Sequence, residues 1–203
     1  MDQSSQITWR VEWRRQYESI WSLFEKIKIV NTINGNELLK IIQPSNSLGT
    51  RKRNANKLPD EACEKLEELT RVNFKQILNS MQKLFKVNFL KDPMHIYHTH
   101  LRYCGTCIRH NYHSYLHQYK LIDFCPFHLE EFEESCNNCG KQIYFFNIAL
   151  TIPYTCRCGM QIYRSSGWPV WENWTSINPV IEDNYIKELL QLAINEISIS
   201  LIY

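Results

Sequence analysis

Between residues 104 and 158 the chain reads Cys104-Gly-Thr-Cys107, then Cys125-Pro-Phe-His128, then Cys136-Asn-Asn-Cys139-Gly140, then Cys156-Arg-Cys158-Gly159. Two sulfurs a couple of residues apart on a tight turn can face one cation, and Zn²⁺ takes four such ligands in a tetrahedron. Seven of the eight cysteines lie in this stretch, and with His128 they make two complete quartets. A disulfide framework is the competing reading. The opening Met1-Asp2-Gln3-Ser4-Ser5-Gln6 has neither the basic region nor the apolar core of a secretory leader, so a cytoplasmic chain with two structural Zn²⁺ is expected. Sequential pairing puts Cys104, Cys107, Cys125 and His128 on one ion and Cys136, Cys139, Cys156 and Cys158 on the other. Cross-bracing would exchange the second and third pairs; sequential pairing is the expectation. The last pair has one intervening residue instead of two but still offers two sulfurs. Gly140 and Gly159 suit turns that aim amides at sulfur.

Working outward, 203 residues can hold one medium domain or two small ones, and the 13% aromatic content is enough for a core. The formal charge is +2, and two Zn²⁺ on seven thiolates would take it to about −1. That balance excludes a general polyanion binder, so nucleic-acid contact requires a local patch. No apolar run approaches membrane-spanning length. The fold expected is mainly α with small irregular or β zinc knuckles. It divides into an aromatic and basic arm (1–17), a helical, helix-turn-helix-like domain (18–92), tandem zinc motifs (93–165), and an aromatic turn with a C-terminal helix (166–203).

In the arm, Trp9, Arg10, Trp13, Arg14, Arg15 and Tyr17 could stack on nucleic acid, but tryptophans filling a groove of the helical part is the favoured reading. Ile20, Leu23, Phe24 and Ile27 recur at helical spacing, predicting an amphipathic helix from Ser19 to about Val30. Asn34 with Glu37 predicts a capping box, and Leu38, Leu39, Ile41 and Ile42 a second helix that Pro44 stops. The following polar loop carries Arg51, Lys52, Arg53 and Lys57, a phosphate-contacting patch or a solvated charge run. Pro59-Asp60-Glu61 opens a third helix with Ala62, Leu66 and Leu69 buried, and Cys63 reads as a small core residue. Asn73 with Gln76 caps a fourth, whose apolar face is Ile77, Leu78, Met81, Leu84 and Phe85. As a helix-turn-helix, this pair would present Lys75, Gln76, Asn79, Gln82 and Lys83 to a groove; as an ordinary helical hairpin it would not.

All seven histidines lie from 95 to 128. His128 alone has ligand spacing, with His100, four residues before Cys104, in reserve. The others are expected to form hydrogen bonds among Tyr97, Tyr103, Tyr112, Tyr115 and Tyr119. Trp168-Pro169-Val170-Trp171 and Trp174 predict an aromatic turn on the zinc core. Asn178-Pro179 predicts the start of a last helix with Ile186, Leu189, Leu190, Ala193 and Ile197 on one face, and the apolar ending 198–203 predicts docking on the body or a partner.

Arg102-Tyr103-Cys104-x-x-Cys107, Tyr115-x-x-Gln118, Cys125-Pro126-x-His128 and Cys136-x-x-Cys139-Gly140 together resemble the zinc-binding core of the TniQ/TnsD family of transposon target-selection proteins. Glu18-Ser19-Ile20-x-Ser22-Leu23 and Glu37-Leu38-Leu39 are similar to that family's helical opening, and the resemblance runs from about Glu18 to Met160. It implies a noncatalytic adaptor in DNA transposition, a form of DNA recombination. Such an adaptor links target-site selection, through DNA or a target-recognition complex, to a TnsC-type AAA+ ATPase and hence to the transposase. A homodimer is left open. The alternative is a stand-alone helix-turn-helix and zinc DNA-binding transcriptional regulator. An enzyme is not expected, since no nucleophile-base set, Gly-rich phosphate loop or open metal triad stands in the sequence.

Overall fold

The computed structural model describes residues 7–43, 54–83, 97–148, 152–162, 174, 179–184 and 186–188. Pro44, Arg51, Lys52, Arg53, Leu84, Phe85, His95 and Asn178 lie outside the described residues. So do Trp168, Pro169, Val170 and Trp171, the helix positions Leu189, Leu190, Ala193 and Ile197, and the ending 198–203. The fold is mainly helical: α1 (Ile20–Asn31), α2 (Gly35–Ile42), α3 (Asp60–Thr70), α4 (Phe74–Lys83) and the short α5 (Gly105–Arg109). Extended pairing among the described residues consists of isolated antiparallel bridges, several of them closing the metal-ligand turns.

Local chemistry sets the helix ends. Ser19 caps α1, its hydroxyl oxygen accepting from the Ser22 N–H at 3.1 Å. Asn34 and Glu37 form the expected capping box of α2. Asp60 and Glu61 place negative charge in the first turn of α3, at the positive end of its dipole. The Asn73 side chain accepts from the Gln76 N–H at 2.7 Å to start α4. Three residues, Arg71, Val72 and Asn73, join α3 to α4. Arg71 turns the chain with a left-handed φ of 56°, and Val72 drops into the core.

One side of α1 builds the helical core. Ile20, Leu23, Phe24 and Ile27 pack with Leu38, Leu39, Ile42, Leu66, Val72, Phe74 and Ile77, and Phe24 stacks on Phe74 at 5.6 Å. Each such side chain contributes about 1.5–3 kcal/mol by leaving water. Ala62, Cys63 and Leu66 of α3 are buried as expected, whereas Leu69 is only half-buried.

The other side of α1 departs from the amphipathic expectation: every residue from Ile20 to Lys28 is buried. The cysteine-rich half covers what the periodicity leaves for solvent. Trp21 enters that half's own core, meeting His113 at 5.4 Å and Tyr154 at 5.2 Å, both edge-on. The charged side chains there are neutralised in pairs, Lys26 with Glu18 at 2.6 Å and Lys28 with Glu25 at 2.7 Å. Glu18 also accepts from the Ser22 hydroxyl and the Arg15 N–H, and Glu25 accepts from the Tyr154 N–H. Further backbone bonds join the two halves: Ser19 N–H to His113 O, Tyr115 N–H to Tyr17 O and Ala55 N–H to Phe146 O.

The arm docks on this junction. Trp13 is buried, Trp9 packs edge-on against it, and the Lys26 ammonium donates to Trp13 O at 2.8 Å. Burial lowers the Lys26 pKa to about 8 against the pull of Glu18. Trp174 belongs to the same junction: it meets Trp13 at 5.6 Å and lies 5.1 Å from Lys26 Nζ, so its contacts are to the arm and α1. The last helix also differs from expectation at its start. Residues 179–183 are non-helical, Glu182 N–H donates to Pro126 O, and the Asp183 side chain accepts from the Ile186 N–H as a cap. Asp183, with its capping carboxylate, thus takes the role assigned to Asn178-Pro179.

Candidate metal centres

Each ligand pair sits on a backbone turn that its own sequence explains. Cys104 is the N-cap of α5, and its sulfur accepts from the Cys107 N–H at 3.4 Å, so one helical turn points both sulfurs the same way. The other three turns are one design. Cys125 N–H donates to Glu130 O and its carbonyl accepts from Leu129 N–H. Cys136 N–H donates to Lys141 O and its carbonyl accepts from Gly140 N–H. Cys156 N–H donates to Met160 O and its carbonyl accepts from Gly159 N–H. The Cys-x-Cys turn therefore keeps the closure with one residue fewer. The residue whose N–H closes each turn has positive φ: Leu129 at 55°, Gly140 at 68° and Gly159 at 88°.

These turns gather the eight side chains sequentially: Cys104, Cys107, Cys125 and His128 in one cluster, Cys136, Cys139, Cys156 and Cys158 in the other, with ligand atoms within 4.8 Å of one another. In the first, His128 Nδ1 lies 3.4, 3.3 and 3.6 Å from the sulfurs of Cys104, Cys107 and Cys125, and Cys107 and Cys125 are 3.6 Å apart. In the second, Cys136 and Cys158 approach to 3.6 Å and Cys139 and Cys156 to 3.7 Å. All eight cysteines are free. A tetrahedral Zn²⁺ with ordinary Zn–S and Zn–N bonds has ligand–ligand edges of about 3.8 and 3.5 Å. Both clusters could hold a metal ion on this geometry.

The electrostatics point the same way. Burial pushes the Cys107 thiol far up, while hydrogen bonds from the Cys104 and Cys107 thiols hold Cys125 well down. In the second cluster burial raises Cys156, and the Met160 N–H lowers Cys158. Each cluster thus ionises one thiol readily and resists ionising a neighbour. A divalent cation among the sulfurs removes that resistance.

His117 was not singled out by spacing, yet its Nε2 lies 3.7 Å from Cys107 Sγ and 3.6 Å from Cys125 Sγ. The ring is fully buried and its pKa falls to about 3, chiefly through desolvation, so it is neutral. Nδ1 has no partner among the described residues. A neutral ring's single proton is best placed on Nε2, where sulfur can accept it. Only its place on the 3₁₀ turn Tyr115–Gln118, between the two ligand pairs, hints at this role. His100 is elsewhere, packed on Tyr144 at 4.8 Å. His113 is a core hydrogen-bonding group: Nε2–H donates to Arg102 O and Nδ1 accepts from the Ser19 hydroxyl, both at 2.8 Å.

Of the candidate nucleic-acid residues, Lys75, Gln76 and Asn79 share an exposed side of α4, and Lys75 is paired with Asp60 at 2.7 Å. Lys83 ends α4, and Lys57 is exposed on a separate 3₁₀ turn, Ala55–Lys57. Among the described residues no helix is long and apolar enough to cross a membrane. In comparisons with known proteins, no family model and no curated protein matches the chain.

Proposed function

We propose that the chain is a noncatalytic, zinc-containing adaptor of DNA transposition that couples target-site recognition to a TnsC-type AAA+ ATPase. The observation that carries this reading is the sequential gathering of the ligand pairs, Cys125-Pro-x-His128 closing the first set, in the order that resembles TniQ/TnsD proteins. Zn²⁺ fits the donor sets: seven thiols and one imidazole nitrogen, with ligand atoms within 4.8 Å of one another in each cluster and several pairs near tetrahedral edge length. Four protein ligands leave no open position for an activated water, so the ions would hold shape rather than perform chemistry. Cys104, Cys107 and Cys125 would be oriented by turn amides and by His117, and His128 would close the site from its exposed edge. Contacts between the ligand-bearing half and α1 support a single adaptor body in which the ions fix the setting of the helices.

Co-purification with a TnsC-type ATPase, with and without DNA, tests the reading. Capture of the ATPase is the expected result. Sequence-specific, salt-sensitive DNA binding with no ATPase contact would instead favour the stand-alone regulator using α3 and α4. Elemental analysis should give two zincs per chain. A ratio of one would remove the site at Cys156 and Cys158.

A further inference from the structure

The three hairpin-like ligand turns share one closure, but two place glycine at the left-handed position and the third places Leu129 there. A branched side chain in that left-handed conformation is strained. The side chain gains little burial in return, being 59% exposed. On the same hairpin Phe124 is 48% exposed, and Leu121, on the turn that Ile122 N–H to Tyr119 O closes just before it, is 59% exposed, while Ile122, Cys125 and Phe127 are buried. Phe124 pairs across the hairpin with exposed Glu131. From 121 to 135 the chain has five carboxylates, Asp123, Glu130, Glu131, Glu133 and Glu134, and no lysine or arginine. Glu134 is engaged by Arg102, Glu130 by Thr106 and the half-buried Glu133 by Tyr103 and Asn137, leaving Asp123 and Glu131 as the exposed acidic rim.

We propose that the hairpin 124–131, with the turn before it that carries Leu121 and Asp123, is a docking knob for a protein partner whose surface has an apolar recess rimmed by lysine or arginine. Leu121, Phe124 and Leu129 enter the recess, and Asp123 and Glu131 meet the basic rim. The ligands Cys125 and His128 sit inside the hairpin, so a bound metal would hold the knob rigid and reduce the ordering that docking requires. Nucleic acid does not fit this face, because its phosphates would meet carboxylates. The chain's own segment 189–203 has apolar residues but no lysine or arginine, so it does not match the rim. The proposal rests on the adaptor reading only for the identity of the partner.

The test uses the full chain loaded with zinc and, as probe, a helical peptide of leucine and lysine. A leucine and glutamate peptide of equal length and a DNA duplex are the controls. The lysine peptide is expected to bind, and its affinity to fall at least about tenfold in the double variant Phe124→Ser/Leu129→Gly and in Asp123→Lys/Glu131→Lys. Metal content should stay at two per chain in both. Leu129→Gly alone should weaken binding while raising or preserving the melting temperature, because glycine relieves the strain. Unchanged affinity in the variants, equal binding of the acidic peptide, or binding of DNA through these residues would overturn the knob. So would self-association that the same variants abolish, since a second copy would then cover the face. ATPase capture read in parallel separates the two readings. Capture that survives the variants takes this surface from the ATPase but leaves the adaptor, whereas peptide binding at the hairpin without ATPase capture overturns the adaptor alone.

Discussion

Removing the His117 imidazole takes a hydrogen-bond donor from two sulfurs at once. In His117→Phe, which keeps an aromatic ring in the buried space, competition with a chromophoric chelator should show the first site's metal affinity reduced about 10- to 100-fold. The second site, built on other turns, should keep its affinity, and His117→Gln should recover part of the loss by restoring an N–H. His113 offers a different readout because it touches no ligand. Burial lowers its pKa well below 6.5, with His117 adding to the effect. Between that folded value and 6.5 the unfolded chain binds a proton that the folded chain refuses, so stability is lost as pH falls below 6.5. Urea unfolding from pH 6.5 down to 5.5 should give a slope up to about 1.4 kcal/mol per pH unit steeper for the wild type than for His113→Gln. Equal slopes would mean that the imidazole charges in place.

Among the elements, α1 carries a large penalty for a single change. Lys26→Met strands the Glu18 carboxylate among buried groups and should destabilise the chain by about 3–5 kcal/mol in urea unfolding, with much of that recovered in Glu18→Gln/Lys26→Met. The same helix marks how far the sequence could be read. Caps and ligand pairs were legible because their partners lie within a few residues: Asn34 with Glu37, Asn73 with Gln76, Cys104 with Cys107. The helical-core side of α1 was legible from its period. Its second buried side was not, because nothing in the residue types of Glu18, Glu25, Lys26 and Lys28 signals that they pair with one another under a cover from distant chain such as Tyr154. Positioning by His117, and the left-handed turn at Leu129, likewise depend on contacts or conformation that residue type alone does not signal. At Pro179 a local rule named the wrong residue, since the Asp183 carboxylate caps the turn while the chain before it bonds to Pro126.

For the whole molecule, the two cores stand on one helix. Chelation should therefore not leave a folded helical half behind. Stripping both ions with a strong chelator is expected to lose far-UV helical signal together with a change in tryptophan fluorescence, in a single transition whose midpoint rises with added zinc. Cys125→Ala should reproduce that loss. Two separate transitions, with α1–α4 surviving the first, would show that the halves fold independently. The shared helix also turns metal supply into a control on abundance. Zinc bound at both clusters would stabilise the native state by mass action, so a cell poor in the ion would hold more of this chain in its unfolded, protease-sensitive form. Every surface the protein offers to partners would then be rationed together, from the outer side of α4 to the far tip of the ligand hairpins.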